Sequence, residues 1–157
     1  MNNSNSSIRN SAKAIIVRDS CVLLIRIGDQ GGEWYVLPGG GQHAGEPLRE
    51  TVQRECLEEI GVPVQVGQLR LVREYIAKNH GADECTAPAH RVEFMFECQI
   101  NADAVPSNGL KADTCQTGIV WVPVADLAAY DLYPTGLVQI LRDGVSKVGC
   151  AYMGDVA

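Results

Sequence analysis

Residues 47–60, PLRETVQRECLEEI, place Leu48, Val52, Cys56 and Ile60 four apart. That recurrence makes one buried stripe on a helix and does not fit a strand. Pro47 suits the first turn, and Gly61 is a stop signal. The same segment carries Glu50, Glu55, Glu58 and Glu59. On a wheel advancing ~100° per residue, with Glu55 at zero, Glu59 falls at roughly +40° and Glu58 at roughly −60°. The apolar stripe covers roughly +20° to +140°. Glu55 and Glu59 thus border the core face, and Glu58 lies just outside it. Like charges four apart cost roughly 0.2–0.5 kcal/mol per pair. Partial burial adds desolvation, and carboxylates oppose the dipole near a helix C-terminus. Three costs in one place call for a compensating cation. A hard divalent ion with oxygen ligands, Mg²⁺ above all, fits that demand.

What surrounds this helix is mostly strand. Residues 12–17, 21–27, 34–37, 64–76, 91–100 and 119–124 read as strands, with a possible bulge at Gly67. In the fifth of these, Val92, Phe94, Phe96 and Cys98 share one face, with Glu93, Met95 and Glu97 on the other. Gly39-Gly40-Gly41 precedes the helix and frees the backbone there. Residues 78–89 and 101–117 read as loops, 124–129 as a short helical turn and 134–141 as a last helix. The tail, residues 145–157, can add an edge strand or meet a second subunit. The pattern predicts an α+β fold with a mixed sheet. The Asn/Ser-rich opening, residues 1–11, reads as a flexible arm, and residues 12–157 as one domain.

Composition narrows the function. The net charge of −6 argues against long nucleic acid, which needs a basic surface. It permits a small phosphorylated ligand, because a bound metal reverses the local sign. No stretch is apolar for the ~18 residues of a membrane span, and the opening lacks an apolar signal core. The six cysteines form no CxxC pair and no zinc spacing. They read as reduced thiols of a cytoplasmic protein, mostly small core residues.

Residues 40–62 read GGQHAGEPLRETVQRECLEEIGV. This resembles the Nudix box, Gly-x5-Glu-x7-Arg-Glu-U-x-Glu-Glu-x-Gly-U, where U is a bulky apolar residue. Gly40, Glu46, Arg54, Glu55, Glu58, Glu59 and Gly61 fill the fixed positions, and Val62 the last U. Cys56 stands at the first U, where an aliphatic residue is commoner; that departure concerns packing. From background usage such a match arises on the order of 10⁻⁹ per starting position, which excludes coincidence. The resemblance extends over roughly residues 12–142 and implies the Nudix α/β/α sandwich with a mixed sheet between helices.

The resemblance also implies the chemistry: a Mg²⁺-dependent pyrophosphohydrolase, with Mn²⁺ as a possible substitute, cleaving a nucleoside diphosphate linked to another moiety. It points to Glu55 and Glu59 as metal ligands, with Glu58 as a third ligand or as the base. Arg54 then orients a box carboxylate. Gly39 and Gly40 offer a backbone carbonyl to metal and keep the loop tight, and Glu46 braces it. Outside the box, Trp34, His90, Glu93, Asp113 and Gln116 are candidates for substrate contact. A homodimer is possible, as in many relatives. Two alternatives stand beside this reading. One is a house-cleaning pyrophosphatase for oxidised nucleoside triphosphates. The other is a catalytically silent nucleotide sensor, a class that often loses the box carboxylates retained here.

Overall fold

The computed structural model describes residues 7–81, 90–147 and 149–157. Nine strands form one mixed, curled sheet. In chain order they are β1 (Arg9–Arg18), β2 (Cys21–Asp29), β3 (Gly32–Val36), β4 (Gly39–Gly41), β5 (Gln65–Ile76), β6 (His90–Gln99), β7 (Gln116–Pro123), β8 (Leu132–Tyr133) and β9 (Ala151–Asp155). Two α-helices, α1 (Leu48–Ile60) and α2 (Leu137–Asp143), complete the fold with short 3₁₀ turns. The spatial order is β8-β3-β2-β1-β6-β5-β9, with β4 also on β1 and β7 also on β2. The pairs β1/β6, β3/β8 and β5/β9 are parallel; the other pairs are antiparallel.

Apolar residues alternate along β1 and β6, so each face of the sheet has its own core. Ala12, Ala14, Ile16, Phe96 and Cys98 pack with Val52, Cys56 and Ile60 of α1. Ile15, Leu71 and Met95 pack on the opposite face with Leu137 and Leu141 of α2 and with Leu127. The result is the α/β/α sandwich. The stripe of α1 is buried as its spacing requires, and Gly61 ends the helix at φ 70°. The bulge falls where Gly67 suggested, with register shifts from Val66 to Leu71.

The boundaries differ most towards the two ends of the chain. The expected arm, residues 1–11, is too long: residues 1–6 lie outside the described residues, but Arg9, Asn10 and Ser11 already belong to β1. They pair with Arg91, Val92 and Glu93 of β6, and Ser11 also with Gly41 of β4. Backbone pairing outweighs their polar composition. The last helix starts at Leu137, three residues late, because a turn precedes it in which the Leu137 N–H donates to the Pro134 carbonyl at 3.0 Å. The tail adds β9 beside β5, so its edge-strand option is realised within the chain. Among the described residues, no helix is long and apolar enough to cross a membrane. Cys56 and Cys98 are buried free thiols, which burial pushes upward, Cys98 to about 12. Cys85 lies outside the described residues.

Candidate active site

The glycine loop meets α1 at close quarters. Gly39 sits at φ 126°, a conformation that favours glycine, and a Cβ there would lie 2.1 Å from the Ala12 carbonyl oxygen. A Cβ on Gly40 would fall 2.5–2.8 Å from the Glu55 carboxyl atoms. The spacing of the box is therefore steric as well as chemical: β4 passes directly over the carboxylates of the helix.

Those carboxylates differ in surroundings. Glu59 is buried, only 9% exposed, and its Oε2 accepts the Gly39 N–H at 2.7 Å. Burial pushes its carboxyl up from 4.5 to about 7; Lys13 and the Gly39 N–H oppose the rise, while Glu55 and Asp113 add to it. Glu55 and Glu58 are progressively more open, at 15% and 29% side-chain exposure. This is the order the helical wheel gives.

Arg54 gathers the rest. Its Nε and Nη2 donate to Glu46 at 2.7 and 3.0 Å, its Nη1 to Glu55 at 2.7 Å, and its Nη2 to the Gly41 carbonyl at 3.0 Å. Glu58 is 3.6 Å from the same guanidinium. Glu46 also accepts from the Thr51 hydroxyl and the His43 N–H, at 2.8 and 3.1 Å. The Arg54 guanidinium holds the Glu46 carboxyl down at about 2. Arg54 and Glu46 thus tie the glycine loop to the helix.

The C-terminal end of α1 is closed by residues 107–111. The N–H groups of Ser107, Gly109 and Lys111 donate to the carbonyls of Ile60, Glu59 and Glu58, so the last turn is satisfied. Gln116 joins them, its Nε2 donating to the Glu59 carbonyl at 2.9 Å.

A cleft of about 810 Å³ opens on the α2 side of the sheet. Its lining includes Lys13, Trp34, Arg73, Tyr75, Arg91 and Glu93. Glu93 is buried and accepts from Arg73 Nε at 2.6 Å. Burial works to raise its carboxyl, but Lys13 and Arg73 outweigh burial and hold it below the ordinary value. Arg91 lies 4.9 Å from the Tyr75 ring centroid, and His80 stacks on Tyr75 at 5.0 Å.

Of the substrate candidates, Trp34 and Glu93 line the cleft. The other three are placed elsewhere. His90 has its Nε2 3.2 Å from Glu74. Gln116 is buried behind α1, where its amide is used on the Glu59 carbonyl. Asp113 is exposed in the loop, near enough to Glu59 to affect its ionisation. Sequence reasoning missed Lys13, Arg73, Tyr75 and Arg91, which come from three strands and meet only through sheet pairing.

Among the described residues, no three acidic, His or Cys side chains are gathered closely enough to hold a metal as they stand. Two cations lie against the box groups. Arg54 holds Glu46 and Glu55, and the Lys13 ammonium donates to the Gly39 carbonyl oxygen. The Gly39 carbonyl oxygen and the Glu55 and Glu59 carboxyls are oxygen donors, the type of ligand that a hard divalent ion takes.

A model of the NUDIX domain family matches residues 8–143. The chain belongs to the Nudix family. Among curated relatives, a nucleoside triphosphatase NudI of Salmonella newport is 27% identical over 124 residues, which is 75% of this chain and 84% of the relative. A NUDIX hydrolase from Nitrosomonas europaea superposes with a TM-score of 0.70 at 19% identity, covering 92% of this chain and 93% of that one. A MutT NUDIX hydrolase from Burkholderia pseudomallei gives 0.66 at 25% identity, covering 88% and 98%. An ADP-ribose pyrophosphatase from Streptococcus suis gives 0.64 at 17% identity, covering 95% and 100%. As a Nudix hydrolase the chain acts on phosphoanhydride bonds of nucleoside diphosphate derivatives. Nudix hydrolases generally use divalent metal ions.

Proposed function

We propose that this Nudix domain is a Mg²⁺-dependent pyrophosphohydrolase, accepting Mn²⁺ in its place, that cleaves the diphosphate of a nucleoside diphosphate linked to another moiety. The observation that carries this reading is Glu59: a buried carboxyl beside Glu55, displaced to about 7, next to a carbonyl that already holds a cation. An ionised Glu59 is costly without a positive ligand. Glu55 and Glu59 are assigned as ligands, with the backbone carbonyls of Gly39 and Gly40 beside them. A divalent ion supplies a lowered pKa for its water and polarises the phosphoryl oxygen.

The chain's own residues do the rest. Glu58, the most open of the three carboxylates, takes the proton of the attacking water or acts as a further ligand. Arg54 keeps Glu55 in place through its 2.7 Å contact while Glu46 holds Arg54. The attached moiety enters the cleft beside Trp34 and Glu93. Phosphoryl transfer asks mainly for positioning and charge neutralisation, and this arrangement provides both.

The test is a substrate panel with Mg²⁺ and with Mn²⁺. Glu58→Gln and Glu59→Gln are expected to abolish turnover while the fold survives. Turnover within about threefold of wild type in both variants overturns the assignment. A second reading, a nucleoside triphosphate pyrophosphatase, is supported by the 27% identity to the nucleoside triphosphatase of Salmonella newport. Comparing triphosphates with ADP-ribose and nucleotide sugars in the same panel separates the two.

A further inference from the structure

Lys13 lies outside the box, yet it joins the two parts of the site. It stands on β1 in register with Gly39 of β4 and Met95 of β6. Its ammonium donates to the Gly39 carbonyl oxygen. Its charge acts on both buried carboxylates, Glu59 of the box and Glu93 of the cleft. It lines the cleft beside Glu93 and Met95. Arg73, also in the cleft, is committed to Glu93 at 2.6 Å and to the Val156 carbonyl at 2.9 Å. Arg91 is laid over Tyr75. A lysine differs from both: its compact ammonium on a flexible four-carbon stem exchanges one oxygen partner for another at low cost.

An ammonium and a divalent ion on one carbonyl oxygen repel each other strongly at that range, so each weakens the binding of the other. Given the metal reading above, the Gly39 oxygen has two claimants. We propose that Lys13 is a phosphate-binding residue of this site: its ammonium competes with the divalent ion for the Gly39 carbonyl, and once displaced it pairs with a phosphate oxygen of the substrate in the cleft. Lys13 thereby couples occupancy of the box to binding of the anionic substrate. With no metal bound, the ammonium stays on Gly39 and partly neutralises Glu59. With metal bound, the same charge faces the diphosphate.

The variants are Lys13→Gln and Lys13→Arg. The glutamine keeps a polar, uncharged side chain; the arginine keeps the charge. Mn²⁺ binding to substrate-free protein is measured by electron paramagnetic resonance at about pH 8.5, above the value of about 7 at which Glu59 titrates. KM and kcat are measured on whichever nucleotide the wild type cleaves. Lys13→Gln is expected to bind Mn²⁺ at least about threefold more tightly, with KM raised about tenfold or more and kcat changed less. Lys13→Arg is expected to recover most of the KM. Unchanged or weaker Mn²⁺ binding in Lys13→Gln overturns the proposal, as does a KM within twofold of wild type. A purely structural lysine would lower the melting temperature without tightening Mn²⁺ binding. If the wild type cleaves nothing in the panel, the proposed function fails, and the Mn²⁺ titration alone still decides the competition.

Discussion

Glu59→Gln is expected to abolish turnover and, in metal-free protein, to stabilise the fold. Burial pushes the Glu59 carboxyl to about 7 in the folded chain, against 4.5 ordinarily. Between those values the folded state retains a proton that the unfolded state has released. Stability therefore falls as pH rises through this window, and above about pH 7 the full cost is present. Moving a carboxyl from 4.5 to about 7 corresponds to about 3 kcal/mol. Glutamine never ionises, and its side-chain oxygen can still accept the Gly39 N–H, now bonded at 2.7 Å. The variant's advantage is then under about 1 kcal/mol at pH 5 and about 3 kcal/mol at pH 8. For a chain of this size the larger figure raises the melting temperature by roughly 6–12 °C. Calorimetric melts in chelator across pH 5–8 read it directly. Under the ligand role proposed for Glu59, adding Mg²⁺ is expected to narrow the gap, since the glutamine of the variant lacks the carboxylate charge. An advantage that does not grow with pH, or a variant less stable than wild type at pH 8, refutes the reasoning.

Two further predictions rest on the box contacts. Arg54→Lys is expected to cut turnover by about a hundredfold, because a three-donor ammonium lacks the planar fork with which the guanidinium makes four bonds to Glu46, Glu55 and the Gly41 carbonyl; steady-state kinetics within about threefold of wild type contradict this. Gly40→Ala places a Cβ 2.5–2.8 Å from the Glu55 carboxyl atoms. That carboxyl is the free end of a flexible side chain and can swing aside. Melts are therefore expected to shift by less than about 1 kcal/mol while turnover falls by about a hundredfold. A large loss of stability with activity per folded molecule intact would reverse that assignment.

The box was legible because its logic is local. Glu55, Glu58 and Glu59 lie on one helix, so a fixed angle per residue orders their exposure, and the structure keeps that order. The glycines before the helix were legible as freedom of the backbone. What they make room for, the Glu55 carboxyl under Gly40 and the Ala12 carbonyl under Gly39, depends on β4 pairing with β1. Polar Arg9, Asn10 and Ser11 read as an arm because composition cannot register the pairing with β6 that holds them.

Gln116 shows a different limit. A polar residue in a loop before a late strand suggests substrate contact, but Gln116 is the first residue of β7, and its amide joins residues 107–111 on the C-terminal carbonyls of α1. Spare carbonyls at a helix end must find donors, so that end of α1 predicts some partner without naming it. The cleft cations are the extreme case. Lys13, Arg73 and Arg91 sit on β1, β5 and β6, far apart in sequence, and no periodicity links them. The parallel register of β1 with β6 and the antiparallel register of β6 with β5 bring them to one face. On the proposed reading, the chemistry at the diphosphate is thus written in one helix and its loop, and recognition of whatever hangs from it is distributed over sheet pairing. Lys13 belongs to both, and its two carboxylate neighbours, Glu59 and Glu93, make it the residue where a change on one side is felt on the other.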